Sequence, residues 1–262
     1  MGLILAVVNQ KGGVGKTTTS VNLAAFLGIR GKRVILVDLD PQANASSGLG
    51  IDKKQENTAN TYSLIIDKVP LSDCLQPTLV RNLRVCAGTI DLAGAEIELA
   101  PLPNREQCLK TALAGFTEPY DYLIIDCPPS LGLLTLNALS AASALLIPIQ
   151  TEYYALEGVT QLMETYQTVR QTMNPTLEIF GVVLTMFDGR TQLANQVEQD
   201  VRRYFGEKTF KTVIPRNVRL SEAPSYGQPI SVYDRRSKGA EAYLKLSREV
   251  LKRTKLWKEK QA

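Results

Sequence analysis

Val8-Asn9-Gln10-Lys11-Gly12-Gly13-Val14-Gly15-Lys16-Thr17-Thr18-Thr19 follows directly on the apolar run Leu3-Ile4-Leu5-Ala6-Val7. A buried strand that ends in a glycine-rich turn and then opens a helix aims several backbone N–H groups at one spot. The positive end of the helix dipole adds to their pull, so such a spot binds phosphate. Gly12, Gly13 and Gly15 let the backbone curl around a polyphosphate. Lys16 offers a point charge to its outer phosphates, and the Thr17 hydroxyl suits Mg²⁺.

The general pattern for such loops is G-x-x-x-x-G-K-[ST]. Gly15-Lys16-Thr17 closes it, but Gln10 stands where the opening glycine belongs, and Lys11 adds a second lysine inside the loop. In this departure the stretch resembles the deviant phosphate loop of the ParA/MinD class of ATPases. The resemblance implies that Lys11, Gly12, Gly13, Val14, Gly15, Lys16, Thr17 and Thr18 contact ATP. It also implies that Lys11 reaches the nucleotide of a partner subunit, so that Lys11 and Lys16 both serve catalysis.

The surrounding chain sets the frame. The apolar residues from Val21 to Leu27 fit a helix, Gly31 ends it, and Arg33 to Asp38 reads as a buried strand. Strand, helix and strand at this spacing make a parallel pair with a right-handed crossover. The second strand delivers Asp38-Leu39-Asp40-Pro41-Gln42 beside the phosphate loop, where open α/β sheets hold ligands. The two aspartates either cap a turn or face the ligand. D-x-D-P-Q resembles the switch of the ParA class, which implies that Asp40 orients the attacking water and that Asp38 lies nearer the water shell of the metal.

Tyr120 to Asp126 is an apolar strand ending in a carboxylate, continued by Cys127-Pro128-Pro129-Ser130. This Walker B arrangement places Asp126 to hold the Mg²⁺ water shell opposite Thr17. Further strands are expected at 82–87, 144–149, 177–186 and 209–214, with helices at 103–116, 131–142, 156–173, 193–205 and 237–257. Residues 41–60 are expected to form a polar loop, 59–75 two short helical segments, and 215–224 a loop and turn. The fold expected is α/β, P-loop NTPase-like, a mostly parallel twisted sheet with helices on both faces. With no linker or repeat, residues 1–262 read as one ParA-type domain.

Composition narrows the chemistry. The chain has 262 residues, four scattered cysteines and no histidine, so a zinc site or a histidine-based nucleophilic unit is excluded. No apolar stretch spans a bilayer and no signal peptide is seen, so a cytoplasmic protein is expected. Net charge is only +4, so any nucleic-acid argument rests on where the basic residues sit.

The resemblance runs from Leu3 to the last helix and is closest to the chromosomal ParA (Soj) branch. It implies base contacts from Pro215 (main chain) and Asn217 (side chain), and a ribose contact across subunits from Glu152, with Tyr153 and Tyr154 as packing or interface residues. Arg190 in Phe187-Asp188-Gly189-Arg190 and Arg219 in Val218-Arg219-Leu220-Ser221 match basic positions that bind DNA without reading sequence, although charge-rich stretches are commonly solvated faces. The implied function is an Mg²⁺-dependent ATPase that dimerises with ATP, coats double-stranded DNA, associates with the nucleoid and answers to a ParB-type centromere-binding protein. Other readings share the core: a ParA-like positioner of a protein cargo in place of a chromosome or plasmid, a MinD-like membrane ATPase, and a metabolic ligase or electron-transfer ATPase. In the iron proteins of the last kind Cys127 would be a cluster ligand, but they need a second cysteine well upstream on a matching loop, and this sequence offers none.

Overall fold

The computed structural model describes residues 2–52, 58–153 and 157–261; Tyr154 lies outside them. In chain order the first half comprises β1 (Leu3–Val7), α1 (Lys16–Ile29), β2 (Val34–Asp38), α2 (Asn44–Gly48), α3 (Thr61–Ile65), α4 (Leu71–Cys74), β3 (Leu75–Pro77), β4 (Leu83–Cys86), α5 (Leu92–Leu99), α6 (Cys108–Ala114) and β5 (Tyr122–Asp126). The second half comprises α7 (Leu133–Ala141), β6 (Ala144–Gln150), α8 (Glu157–Thr172), β7 (Glu178–Thr185), α9 (Gln192–Phe205), α10 (Val218–Glu222), α11 (Ile230–Tyr233) and α12 (Lys238–Gln261).

The strands form one sheet in the order β3-β4-β2-β5-β1-β6-β7. All pairs are parallel except β3 with β4 at the edge. β1, β2 and β5 are buried along nearly their whole length, as a parallel sheet covered on both faces requires. Side chains alternate between faces. Leu5, Val7, Leu36 and Ile124 join α1 and α12 in one apolar layer. Ala6, Ile35, Val37 and Ile125 join α3 to α9 in the other. The chain leaves β1 for β2 and β4 on one side, then returns past β1 to β6 on the other. A crevice therefore opens at the carboxyl end of β1, where ligands bind in such sheets.

Four stretches depart from expectation. Residues 44–48 are a helix, because Asp38 Oδ2 accepts both the Ser46 amide at 2.8 Å and the Ser46 hydroxyl at 2.7 Å. Ala45, Ser46 and Gly48 are thereby buried. Residues 92–99 form α5, whose buried Leu92, Ala95 and Leu99 carry a helical spacing too short to stand out. Residues 209–214 form no strand and join β7 only by the bridge of Thr209 to Val182 and by the Phe210 and Ile214 amides, each donating to a β7 carbonyl at 2.8 Å. The reason is that the Glu249 carboxylate takes the intervening Lys211 and Thr212 amides at 2.9 and 2.8 Å. Residues 218–222 of the expected loop form α10.

Candidate functional site

The phosphate loop spans the turn between β1 and α1. Gly13 and Gly15 sit at φ of 75° and 85°, a left-handed backbone that side chains disfavour. Two contacts hold the loop from outside. Asn9 donates to the Pro148 carbonyl at 2.7 Å and accepts from the Lys11 amide at 3.0 Å. The Thr185 hydroxyl at the end of β7 donates to the Val14 carbonyl at 2.8 Å. Together these tie the loop to β6 and β7.

Lys16 opens α1 and is buried, with its amine donating to the Lys11 carbonyl at 2.9 Å. Burial pushes its pKa down, against the opposing pull of Asp126, Cys127 and Asp40. One turn of α1 then faces β5. The Thr17 hydroxyl donates to Asp126 Oδ2 at 2.8 Å, and the Ser20 hydroxyl donates to Oδ1 at 2.7 Å. Ser20 was not anticipated; its signal is its position three residues after Thr17 on the same helical face.

Asp38 and Asp126 are register partners on neighbouring strands. Both are fully buried. Burial raises the Asp38 carboxyl to about 6 against the hydrogen bonds from Ser46. Burial, then the charge of Asp38, raises Asp126 to about 7. Two carboxylates that resist ionising beside a lysine and a threonine hydroxyl suit a divalent cation, whose charge would reverse that penalty. The described residues contain no group of three or more His, Cys, Asp or Glu side chains able to hold a metal. Mg²⁺ characteristically takes one or two carboxylates and completes its shell with water and substrate phosphates, and Asp38, Asp126 and the Thr17 hydroxyl could supply the protein's share of such a site. Asp40 is also buried, and its Oδ1 accepts from the Gln42 amide at 2.9 Å, which fixes the turn after β2.

Lys11 and Glu152 form an ion pair within the one chain, joining the loop to the end of β6. Tyr153 is exposed. Cys127 is buried in the core and burial pushes its thiol pKa well up.

Beside the loop lies a cavity of about 530 Å³, lined by Gly15, Thr18, Pro215, Arg216 and Asn217. Asn217 Oδ1 is buried there with no hydrogen-bond partner among the described residues. A buried acceptor without a donor costs free energy unless a ligand supplies one, and the exocyclic amine of adenine is such a donor. Pro215 joins the same wall through its bridge to Phe187.

That bridge also brings the two candidate basic loops together, with Phe187 N donating to Ile214 O at 3.0 Å and Arg216 N to Phe187 O at 3.3 Å. The Arg190 side chain is 89% exposed and pairs with Asp188 at 2.6 Å. Arg219 is about half exposed and pairs with Glu222 at 2.9 Å. Arg190 holds the Asp188 carboxyl down at about 2, with Arg216 contributing. Exposed pairs of this kind contribute little, so both guanidinium groups can be taken over by another anion.

The family model described as an AAA domain matches residues 2–179. The chain is 58% identical over 250 residues to the sporulation initiation inhibitor protein Soj of Bacillus subtilis, covering 95% of this chain and 98% of that protein. It is 55% identical to the chromosome partitioning protein ParA of Myxococcus xanthus, covering 97% and 89%. Among solved structures, cobyrinic acid a,c-diamide synthase of Mycobacterium smegmatis with bound ADP and magnesium is 38% identical, with a TM-score of 0.85 over 97% of this chain and 96% of that one. The cell division ATPase MinD of Pyrococcus furiosus is 28% identical, with a TM-score of 0.78 over 96% and 99%. The deviant phosphate loop, the paired carboxylates behind it and identity along nearly the whole chain agree: this protein belongs to the ParA/Soj family of chromosome-partitioning ATPases.

Proposed function

We propose that the chain hydrolyses ATP with Mg²⁺, dimerises when ATP is bound, and in that form binds duplex DNA without reading its sequence. A ParB-type centromere-binding protein then triggers hydrolysis and release. The observation that carries the reading is the convergence of Lys16, Thr17, Asp38, Asp40 and Asp126 at the carboxyl ends of β1, β2 and β5. A lone glycine-rich turn would lack the three carboxylates.

The roles follow from position. The amides of residues 12–17 and the Lys16 amine hold the phosphates, and the Lys16 amine exchanges the Lys11 carbonyl for them. Thr17 and Asp126, with Asp38 behind them, would hold Mg²⁺, which would neutralise charge that develops on the phosphate oxygens. Asp40 orients the attacking water. Asn217 and the Pro215 main chain take the base. Lys11 and Glu152 exchange their mutual contact for the partner subunit's nucleotide, so dimerisation and ATP are linked. Arg190 and Arg219 contact DNA phosphates, which position a protein without reading sequence.

The alternative of a membrane anchor at the carboxyl end is disfavoured by α12, whose Tyr243, Leu246 and Val250 are buried in the core. No helix among the described residues is long and apolar enough to cross a membrane.

The experiment pairs two variants. Lys16→Ala removes a phosphate charge and should abolish ATP binding in calorimetry. Asp40→Ala should bind ATP, dimerise in light scattering and fail to hydrolyse, because the phosphate cradle stays while the water is lost. Unchanged ATP binding by the first, or normal hydrolysis by the second, refutes the assignment.

A further inference from the structure

The segment from Val85 to Asn104 holds Asp91, Glu96 and Glu98 and no lysine or arginine, in a chain of net charge +4. Within it, α5 buries Leu92, Ala95 and Leu99 and turns a second apolar face outward. On α5 Ile97 is 77% exposed and Ala93 is exposed, and in the turn that leads into the helix Ile90 is 73% exposed. Positions 93 and 97 share one side of the helix, and Ile90 adjoins them through the turn in which the Ala93 amide donates to its carbonyl at 2.9 Å. The carboxylates flank this strip. Glu96 turns toward α7, where it accepts from the Leu134 amide at 3.3 Å, and Glu98 turns toward α3, where it accepts from the Tyr62 hydroxyl at 3.0 Å. Asp91 stands at the amino end and accepts from Thr89 at 3.1 Å. These donors are neutral. The nearby cation, Arg105, donates to the Ala100 carbonyl at 2.6 Å at the carboxyl end of the helix and pairs with Glu106 at 3.1 Å, so Asp91, Glu96 and Glu98 leave the strip acidic.

The same helix touches the hydrolysis machinery. A cavity of about 220 Å³ beside it is lined by Asp40, Gln42, Ala93, Glu96, Pro128 and Ser130. Just ahead of it, Gly88 N donates at 2.9 Å to the Ser46 hydroxyl, which holds Asp38. An occupant of α5 therefore lies against the segments that follow both β2 and β5.

We propose that the outer face of α5 is the docking surface for the activating partner, and that the docking element is a basic segment with apolar anchors. The inference rests on the reading above that a ParB-type protein triggers hydrolysis, and adds where it binds. An apolar side chain covers Ile97 and Ala93, and lysines or arginines meet Glu96, Glu98 and Asp91. The charge excludes other occupants. DNA and an anionic lipid surface are repelled. A second copy related by a two-fold axis would set the three carboxylates against their own counterparts.

The test uses the full chain with ATP, duplex DNA and the purified ParB-type protein encoded in the same genome. Stimulation of hydrolysis and binding by interferometry are read for the unaltered chain, Ile97→Lys, Ile90→Lys and the control Ile97→Leu. Both lysine variants should lose at least tenfold in apparent affinity, with unstimulated hydrolysis, ATP dimerisation and DNA shift unchanged, and Ile97→Leu should behave as the unaltered chain. Equal stimulation of both lysine variants overturns the inference alone. Loss of the ATP dimer in those variants assigns the face to a second copy and also overturns it. Absence of stimulation in the unaltered chain overturns the partner reading and the inference with it.

Discussion

The Ser20 hydroxyl donates to Asp126 across 2.7 Å, joining the first turns of α1 to the end of β5. Thr17 holds the other oxygen of the same carboxylate. The phosphate loop and the metal-side carboxylate are thus one rigid unit before any ligand arrives.

Ser20→Ala should therefore destabilise the chain, because a fully buried carboxylate loses one of its two hydroxyl donors. The cost should be about 1–3 kcal/mol, read from urea midpoints, and the Mg²⁺ concentration needed for half-maximal hydrolysis should rise. A variant as stable as the unaltered chain would show that Thr17 alone satisfies Asp126.

Asn217→Ala should weaken ATP binding about tenfold, near the ~1–1.5 kcal/mol of one net hydrogen bond, and leave affinity for inorganic triphosphate unchanged. Competition titration with a fluorescent nucleotide separates the two. Equal ATP affinity would remove Asn217 from the base site.

Stability of the metal-free, nucleotide-free chain should depend on pH through Asp38 and Asp126. Folding raises these carboxyls from 3.8 to about 6 and about 7, so the folded state binds the protons more tightly. Their contribution is fully present below about pH 4 and is lost as pH rises through about 7. Urea midpoints from pH 4.5 to 7.5 should fall less steeply for Asp38→Asn than for the unaltered chain. Parallel curves would contradict the assignment.

DNA binding should require ATP, ignore sequence and run through Arg190 and Arg219. A dimer sets two patches side by side, making the second contact intramolecular, and affinity should fall steeply with salt as counterions are released. The double variant Arg190→Glu, Arg219→Glu should shift no duplex while keeping ATP binding. Its folding should be little changed, since both side chains are at the surface. Mobility shifts on two unrelated duplexes, with ATP and ADP over a salt series, decide it; equal binding with ADP would overturn the ATP requirement, and full binding by the double variant would make these residues a solvated face.

Much of this site is legible in the chain's local pattern. An apolar run followed by glycines, lysine and threonine specifies strand, loop and helix, because turn chemistry and side-chain period act over a few neighbouring residues. The strands ending in Asp38 and Asp126 are legible for the same reason. α2 and α10 were not, since short polar segments carry no period of their own; α2 forms because Asp38 reaches across eight residues to Ser46.

Pairings between distant parts of the chain came only from the tertiary fold. The order β2-β5-β1 sets Asp38 beside Asp126 and Asp126 opposite Thr17 and Ser20. The bridge from Phe187 to Pro215 sets the two basic loops together and places Asn217 against the phosphate loop. Local pattern states that a segment is a buried strand but not which strand it lies beside, because any apolar strand can pair with any other. Which one does is decided by the helices that must cover both faces and by the direction each crossover can take.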